Sequence, residues 1–145
     1  MKILFVCTGN TCRSPMAEGL FRAMLSRAGR ENVIAGSAGL SAVEGQPPSE
    51  NAVLACQELG VDISAHRARR VSGAFLAAWD LFFPMSGTHA YILQQAGVRP
   101  ENIYLPRTIE DPFGGTLEDY RRCRDELCRE LEQFLARLPG EGGKP

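Results

Sequence analysis

The first 29 residues constrain the fold more than any other stretch, because they are predicted to form a buried strand, a short loop and a helix. Residues 2–6, Lys-Ile-Leu-Phe-Val, are an apolar run of strand formers, typical of a strand covered on both faces in a parallel sheet. After the loop, Ser14 is a candidate N-cap, Pro15 suits the first helical turn, and Gly29 is a stop signal. This pattern predicts an α/β domain whose sheet begins with residues 2–6.

The loop between strand and helix places Cys7 six positions before Arg13. Such a loop directs backbone N–H groups and the positive end of a helix dipole into one concavity, which suits an oxyanion. A thiol in that setting, facing a guanidinium, reacts as a thiolate at neutral pH. The planar fork of Arg13 matches two phosphate oxygens, and the Ser14 hydroxyl is placed to hydrogen-bond the sulfur. The alternative is a buried strand-end cysteine and a surface arginine.

Composition narrows the class of protein. The 145 residues suit one domain, which we expect to span residues 1–138 and to be followed by a flexible tail, residues 139–145. A net charge of −1 argues against a general nucleic-acid or anionic-membrane binder, and no apolar run is long enough for a membrane span. Five cysteines, an odd number, suit a reducing cytoplasm.

The rest of the chain alternates apolar runs with helical patterns, as expected for an α/β fold. Further strands are predicted at residues 32–37, 79–85 and 102–105, and further helices at residues 50–59, 72–78, 86–95 and 116–138. Ligands bind outside the carboxyl ends of parallel strands, so the loop 38–48 should form a wall of the pocket. Leu40 or Val43 either touches the substrate there or packs under the loop.

A second candidate functional loop follows the last predicted strand. It carries Asp111 before Pro112, and it leaves the same edge of the sheet as Cys7. A thiolate that displaces a phosphate needs an acid for the leaving group and a base for the incoming water, and one carboxyl group can serve as both. Because Asp-Pro is also a common turn pair, a purely structural role for Asp111 is the alternative.

The remaining chemically distinctive residues favour structural roles. His66 lies in a basic cluster, residues 66–70, which is interpreted as solvated surface, and it has no partners at metal-ligand spacing. His89 is predicted to be a surface residue of a helix. Cys56 is interpreted as a small core residue, and Cys123 and Cys128 are interpreted as packing or incidentally exposed residues.

With both motifs in place, the chain resembles the low-molecular-weight protein tyrosine phosphatases over nearly its full length. Residues 7–14, Cys-Thr-Gly-Asn-Thr-Cys-Arg-Ser, look like their phosphate loop, and Asp111-Pro112 looks like their general-acid loop. The resemblance implies a single-domain three-layer sandwich, with a four-stranded parallel sheet and helices on both faces. It implies that the reaction needs no metal and no cofactor. It also implies that the protein is a monomer and that its partners are phosphorylated protein substrates.

The same resemblance assigns roles within the loop. Cys7 would be the nucleophile, Arg13 the phosphate clamp and Asp111 the acid and base. The phosphate would be held by the loop as a whole: Thr8, Gly9, Asn10, Thr11, Cys12, Arg13 and Ser14. Asn10 would brace the loop, Ser14 would bond the sulfur, and Cys12 would form a reversible disulfide with Cys7 that protects it from over-oxidation.

Two features resemble the branch of that family that acts on phosphoarginine. Thr11 stands where tyrosine-selective members usually carry a larger aliphatic residue, and residues 113–115, Phe-Gly-Gly, supply one aromatic where many carry two. A tyrosine phosphatase of the same fold is the alternative, in which Thr11 merely tolerates its position. An arsenate reductase is less favoured, because residues 83–86 contain none of the extra redox cysteines it would need. The last rival is a non-catalytic phosphate-binding module.

Overall fold

The computed structural model describes residues 1–140 and contains three strands and five α-helices in that range. The strands are β1 (Lys2–Cys7), β2 (Ile34–Gly39) and β3 (Leu81–Pro84). The helices are α1 (Arg13–Arg27), α2 (Glu50–Gln57), α3 (Gly73–Leu76), α4 (Gly87–Gln95) and α5 (Leu117–Arg137), with a 3₁₀ turn at Pro100–Asn102. Residues 141–145, part of the predicted tail, lie outside the described residues.

The first strand is the centre of a parallel sheet with the order β2-β1-β3. Phe5 is paired with Ser37 on one side and with Phe83 on the other. Residues 3–7 are buried, as the unbroken apolar run predicted. Because all three strands are parallel, their carboxyl ends and the loops that follow them lie at one edge of the sheet.

Residues 102–105 do not form the predicted fourth strand. A single bridge joins Ile103 to Phe82, and the backbone N–H of Tyr104 donates to the Phe82 carbonyl at 2.9 Å. The 3₁₀ turn occupies the residues before this bridge, and Pro106 has no N–H with which to extend a ladder. The prediction of a four-stranded sheet is therefore wrong, and the described residues contain a three-stranded sheet.

Helices cover both faces of the sheet, which confirms the predicted α/β layers. On one face α1, α2 and α5 bury a large core that includes an aromatic cluster. Its ring centroids are 5.1 Å apart for Phe5 and Phe83, and 5.0 Å apart for Phe83 and Phe134. On the other face, Leu76 of α3 and Leu93 of α4 pack against Leu4 in a smaller core. Within residues 1–140, no helix is both long and apolar enough to cross a membrane.

At the starts of α1 and α2, a serine side chain bonds a cysteine sulfur and does not cap the helix. Helix α1 begins at Arg13, so Ser14 lies inside its first turn and is not the predicted N-cap. Ser49 does precede α2, but its side chain makes no capping hydrogen bond. Helix α5 starts with a capping box, in which Thr116 and Asp119 bond each other's backbone N–H groups.

Gly39, the last residue of β2, lies directly against the loop that follows β1. A Cβ atom there would lie 2.7 Å from the Thr8 carbonyl oxygen and 2.9 Å from the Asn10 nitrogen. Both contacts are with backbone, which a side-chain rotation cannot relieve. Only glycine lets β2 and this loop approach so closely.

We predict that Gly39→Ala lowers the free energy of unfolding by about 1–3 kcal/mol, because the added methyl group pushes into the loop backbone. The matched control is Gly73→Ala in α3, where a Cβ meets nothing within 4 Å. Urea titrations of both variants and of the wild type measure the effect. Equal stability of the two variants would contradict the close approach.

Candidate active site

The loop between β1 and α1 forms the floor of a cavity of about 290 Å³. The residues that line this cavity are Cys7, Thr8, Gly9, Thr11, Cys12, Arg13, Gln46, Asp111 and Phe113. Asp111, predicted from a different part of the sequence, thus lies in the same cavity as Cys7 and Arg13. The structure brings the predicted nucleophile, phosphate clamp and acid together.

Cys7 ends β1 and is almost completely buried. The Ser14 hydroxyl lies 2.9 Å from its sulfur, and the backbone N–H of Asn10 donates to that sulfur at 3.3 Å. A hydroxyl and an amide N–H can both donate to negative charge that develops on that sulfur. Ser14 therefore has the contact that was predicted for it, although it does not cap the helix.

The carbonyl groups of the loop are engaged on its outer side. The Thr8 carbonyl accepts from the Ser41 N–H at 2.9 Å, and the Thr11 carbonyl accepts from the Ser49 N–H at 2.9 Å. Because these carbonyls are engaged elsewhere, they do not compete with an anion for the N–H groups of the loop, as the predicted anion-binding loop requires.

Arg13 extends into the cavity from the first residue of α1 and is 6% exposed. Its Nη1 donates to the Ile109 carbonyl at 3.0 Å, and its Nη2 lies 3.5 Å from the Asp111 carboxylate. Its buried Nε has no hydrogen-bond partner among the described residues. A buried guanidinium with an unused donor is prepared to bind an oxyanion.

Asp111 lies at the mouth of the cavity, with its side chain half exposed. One carboxylate oxygen accepts from the Phe113 backbone N–H at 3.1 Å. This is the local turn contact expected if Asp111 has a structural role. The other oxygen faces Arg13. Asp111 therefore makes the turn contact and also lines the cavity, where its half-exposed carboxyl is accessible to solvent.

Asn10 holds the loop in shape from within. It has a φ of 57° and is fully buried. Its side-chain amide donates to Ser14 at 2.8 Å and to Ser37 at 3.0 Å, and its side-chain oxygen accepts from the Arg69 N–H at 2.9 Å. The left-handed conformation is one that asparagine tolerates better than most residues. One side chain thus ties the loop to α1, to β2 and to the segment after α2.

Two further residues extend this support and were not predicted. Glu18 accepts a 2.6 Å hydrogen bond from Ser37 and lies 2.7 Å from Arg22. His66 donates from Nε2 to the Asn10 carbonyl at 2.9 Å. The interpretation of the 66–70 cluster as solvated surface is therefore wrong for His66, whereas Arg69 is exposed as predicted. The sequence carried no local signal for the His66 contact, since His66 and Asn10 are 56 residues apart.

His89 is also not the surface residue that was predicted. It is 5% exposed, and its Nε2 lies 2.9 Å from the Thr8 hydroxyl oxygen. Burial, followed by the nearby charge of Arg13, lowers the pKa of His89 to about 4, against a smaller opposing effect of Asp111. The ring is therefore neutral at physiological pH.

The second cysteine of the loop, Cys12, is held apart from solvent by two hydroxyl groups. Its sulfur lies 3.0 Å from the Ser49 hydroxyl and 3.2 Å from the Tyr120 hydroxyl. Burial, with the hydrogen bond to Cys12, raises the pKa of Tyr120 to about 12. Ser49 thus bonds a sulfur, although it directly precedes α2.

The other cysteines belong to the core, as predicted, although Cys128 is only partly buried. Burial raises the pKa of Cys56 to about 12 and also raises the pKa of Cys123. In residues 1–140, no group of three or more His, Cys, Asp or Glu residues is arranged to hold a metal ion.

The loop after β2 contributes a residue that sequence reasoning missed. Gln46 lines the cavity, whereas Leu40 packs against the smaller core and Val43 is exposed outside the cavity lining. The prediction that this loop forms a wall is confirmed. The sequence did not determine which residue of the loop lines the cavity, because that depends on the backbone path of the loop.

Comparison with known proteins places this site in context. Residues 2–143 match the family model described as low molecular weight phosphotyrosine protein phosphatase. The protein-arginine-phosphatase of Bacillus subtilis is 35% identical over 95% of this chain and 97% of the relative. The probable low molecular weight protein-tyrosine-phosphatase EpsP of Ralstonia nicotianae is 40% identical over 97% of each.

The fold has solved counterparts. A structure of the YwlE arginine phosphatase, a cysteine-to-serine mutant with a phosphorylated active site serine, is similar with a TM-score of 0.88. It is 34% identical, and the match covers 95% of both chains.

We predict that Asn10→Gly lowers the free energy of unfolding by about 3 kcal/mol, because it leaves buried partners of the amide unsatisfied. Asn10→Ala should lose about 1 kcal/mol more, since alanine also resists the positive φ. Denaturant titrations compare the two variants. Wild-type stability of Asn10→Gly would show that only the backbone conformation, and not the amide, braces the loop.

Proposed function

This chain belongs to the low molecular weight phosphotyrosine protein phosphatase family, and we propose that it removes phosphate from phosphoarginine in proteins through a phosphocysteine on Cys7. The observation that carries the proposal is one cavity that holds a buried sulfur with two donors, a guanidinium with an unused N–H and a half-exposed carboxyl. The phosphorylated active site serine of the similar YwlE structure supports a covalent intermediate.

In the first step the Cys7 thiolate attacks phosphorus in line with the leaving group. The S–P bond forms as the bond from phosphorus to the substrate breaks. Arg13 and the amides of the loop stabilise the equatorial oxygens, where charge is spread in the transition state. The P–N bond breaks as Asp111 gives its proton to the departing nitrogen, which becomes an amino group of the released arginine side chain.

In the second step Asp111, now ionised, removes a proton from water. The water oxygen attacks phosphorus, the S–P bond breaks, and inorganic phosphate and the Cys7 thiolate are released. The Ser14 hydroxyl and the Asn10 N–H stabilise the sulfur as it leaves, because both already donate to it in the free protein. No step in this sequence requires a metal or another cofactor.

The walls of the cavity favour a guanidinium over a phenyl ring. The N–H groups of phosphoarginine need acceptors, which the Thr11 hydroxyl and the Asp111 carboxyl provide at the mouth. Phe113 is the single aromatic residue in the cavity lining. The two residues after it are poor sites for another aromatic side chain: Gly114 has a φ of 79°, and a Cβ on Gly115 would lie 2.9 Å from the Pro112 carbonyl oxygen.

A protein-tyrosine phosphatase is the second candidate. It is favoured by the name of the Ralstonia nicotianae relative and by Phe113, whose exposed ring can stack on a phenyl group. The two candidates share every catalytic step and differ only in the leaving group. Thr11 is the residue that separates them, because an aliphatic side chain there would remove an acceptor that only the guanidinium uses.

The remaining assignments follow from the same reasoning. We assign the phosphatase domain to residues 1–138 and treat the protein as a monomer acting on phosphorylated proteins in the cytoplasm. The odd number of cysteines, five, supports a reducing compartment. We also propose that peroxide couples Cys7 and Cys12, with the two sulfurs oxidised to a disulfide and the peroxide reduced to water.

We predict a higher kcat/KM for a phosphoarginine peptide than for a phosphotyrosine peptide, and a loss of about tenfold on phosphoarginine in Thr11→Ile. The tyrosine substrate should be hydrolysed no more slowly by this variant, since the hydroxyl is not needed for a phenyl ring. Steady-state kinetics on both peptides measure the ratio. The matched control is Thr88→Ile, a change at an exposed position outside the cavity.

A tyrosine preference that Thr11→Ile leaves unchanged would contradict the arginine assignment while keeping the phosphatase. Turnover by Cys7→Ser would contradict the proposed chemistry itself. The two failures are therefore distinguishable with the same pair of substrates.

A further inference from the structure

His89 is buried beside the cavity but has no place in the steps described above. The exposed fraction of its side chain is small, and both ring nitrogens have partners. Nε2 lies 2.9 Å from the Thr8 hydroxyl oxygen, and Nδ1 lies 3.2 Å from the Ser86 hydroxyl oxygen. Thr8 itself lines the cavity and is exposed to it. Among the hydrogen bonds of residues 1–140, the one between His89 and Thr8 joins a side chain of α4 to a side chain of the phosphate loop.

The hydrogen bonds at Ser86 favour one position of the ring proton. Ser86 caps α4, and its oxygen accepts from the backbone N–H of His89. Its own hydroxyl hydrogen therefore remains available and can be donated to Nδ1. A neutral imidazole carries one proton, so with Nδ1 as the acceptor the proton is on Nε2. Nε2 then donates to the Thr8 oxygen.

This arrangement determines where the Thr8 hydroxyl hydrogen points. Its oxygen already accepts from the ring, so its hydrogen is directed away from His89 and is available to the cavity. A phosphate oxygen is an acceptor only, and a hydroxyl directed at it forms a favourable hydrogen bond. With the other tautomer, Thr8 would donate to the ring and would present a lone pair to the phosphate.

The charged groups that act on the ring are Arg13 and Asp111, and they have opposite effects. Burial and the Arg13 guanidinium both disfavour the imidazolium, whereas the Asp111 carboxylate favours it. With its pKa lowered to about 4, the ring of His89 is neutral at neutral pH. A neutral ring has one proton, so its tautomer decides whether Nε2 donates to Thr8 or accepts from it.

We propose that His89 is a positioning residue, which orients the Thr8 hydroxyl as a donor to the transferred phosphate. The inference rests on the proposed function, because it assigns a part to the loop that holds the phosphate. His89 does not touch the substrate. It acts through Thr8, and Ser86 acts through His89.

The first test uses the wild-type protein, so it does not depend on the folding of a variant. Long-range ¹H–¹⁵N correlation of the histidine rings at pH 7 reports which nitrogen carries the proton. We expect His89 to be neutral with the proton on Nε2. A neutral ring with its proton on Nδ1 would overturn the proposal, because Thr8 would then donate to the ring.

The second test is a double-mutant cycle in kcat/KM for a simple aryl phosphate. Thr8→Val and His89→Asn should each lose about tenfold, and the double variant should lose no more than Thr8→Val alone. His89→Gln is the matched control, because its amide N–H reaches about as far as Nε2, whereas the asparagine amide corresponds to Nδ1. It should keep most of the activity of the wild type.

A purely structural role for His89 predicts a different pattern. The losses would then add in the double variant, and Gln and Asn would behave alike; either result would overturn the proposal. Cys7→Ser in the same assay keeps the conclusions separate. If that variant is inactive while the His89 variants are unaffected, only the positioning role fails, and if it is active the proposed chemistry fails instead.

Discussion

The rest of the site depends on one buried side chain, Asn10, held in a left-handed conformation at the centre of the phosphate loop. The side-chain amide of Asn10 is hydrogen-bonded to Ser14, Ser37 and the Arg69 backbone. The backbone N–H of Asn10 donates to the sulfur of Cys7. These bonds fix the curvature of the loop before any substrate arrives. Fixed dipoles stabilise a transition state without reorganising, which is the larger part of such catalysis.

The central strand makes this bracing possible. Because β1 lies between β2 and β3, the loop after it is adjacent to the loops that follow both neighbours. One neighbour contributes Ser37 and Gly39, and the segment beyond the other contributes Asp111. The active site therefore depends on tertiary contacts across the sheet edge, and the aromatic core beneath keeps that edge rigid.

The sequence predicted the parts of the site that are local and missed those that are not. The spacing of Cys7 and Arg13 is set by one short loop, and Asp111 follows from the rule for carboxyl ends of parallel strands. His66 and His89 have no neighbouring signal, since each contacts the loop from more than 50 residues away. The prediction of a fourth strand was wrong because the β propensity of residues 102–105 is local, whereas pairing depends on the neighbouring segments. The adjacent 3₁₀ turn and Pro106 allow only one bridge to β3.

The most direct test of the account is to identify the covalent intermediate during turnover of a phosphoarginine peptide. Rapid acid quenching, trypsin digestion and fragmentation by mass spectrometry would locate the phosphate within the peptide that ends at Arg13. That peptide contains both Cys7 and Cys12, so fragmentation must separate them. We predict phosphate on Cys7 alone. Phosphate on Cys12 or on Asp111, or hydrolysis with no phosphoenzyme during the first turnover, would contradict the mechanism.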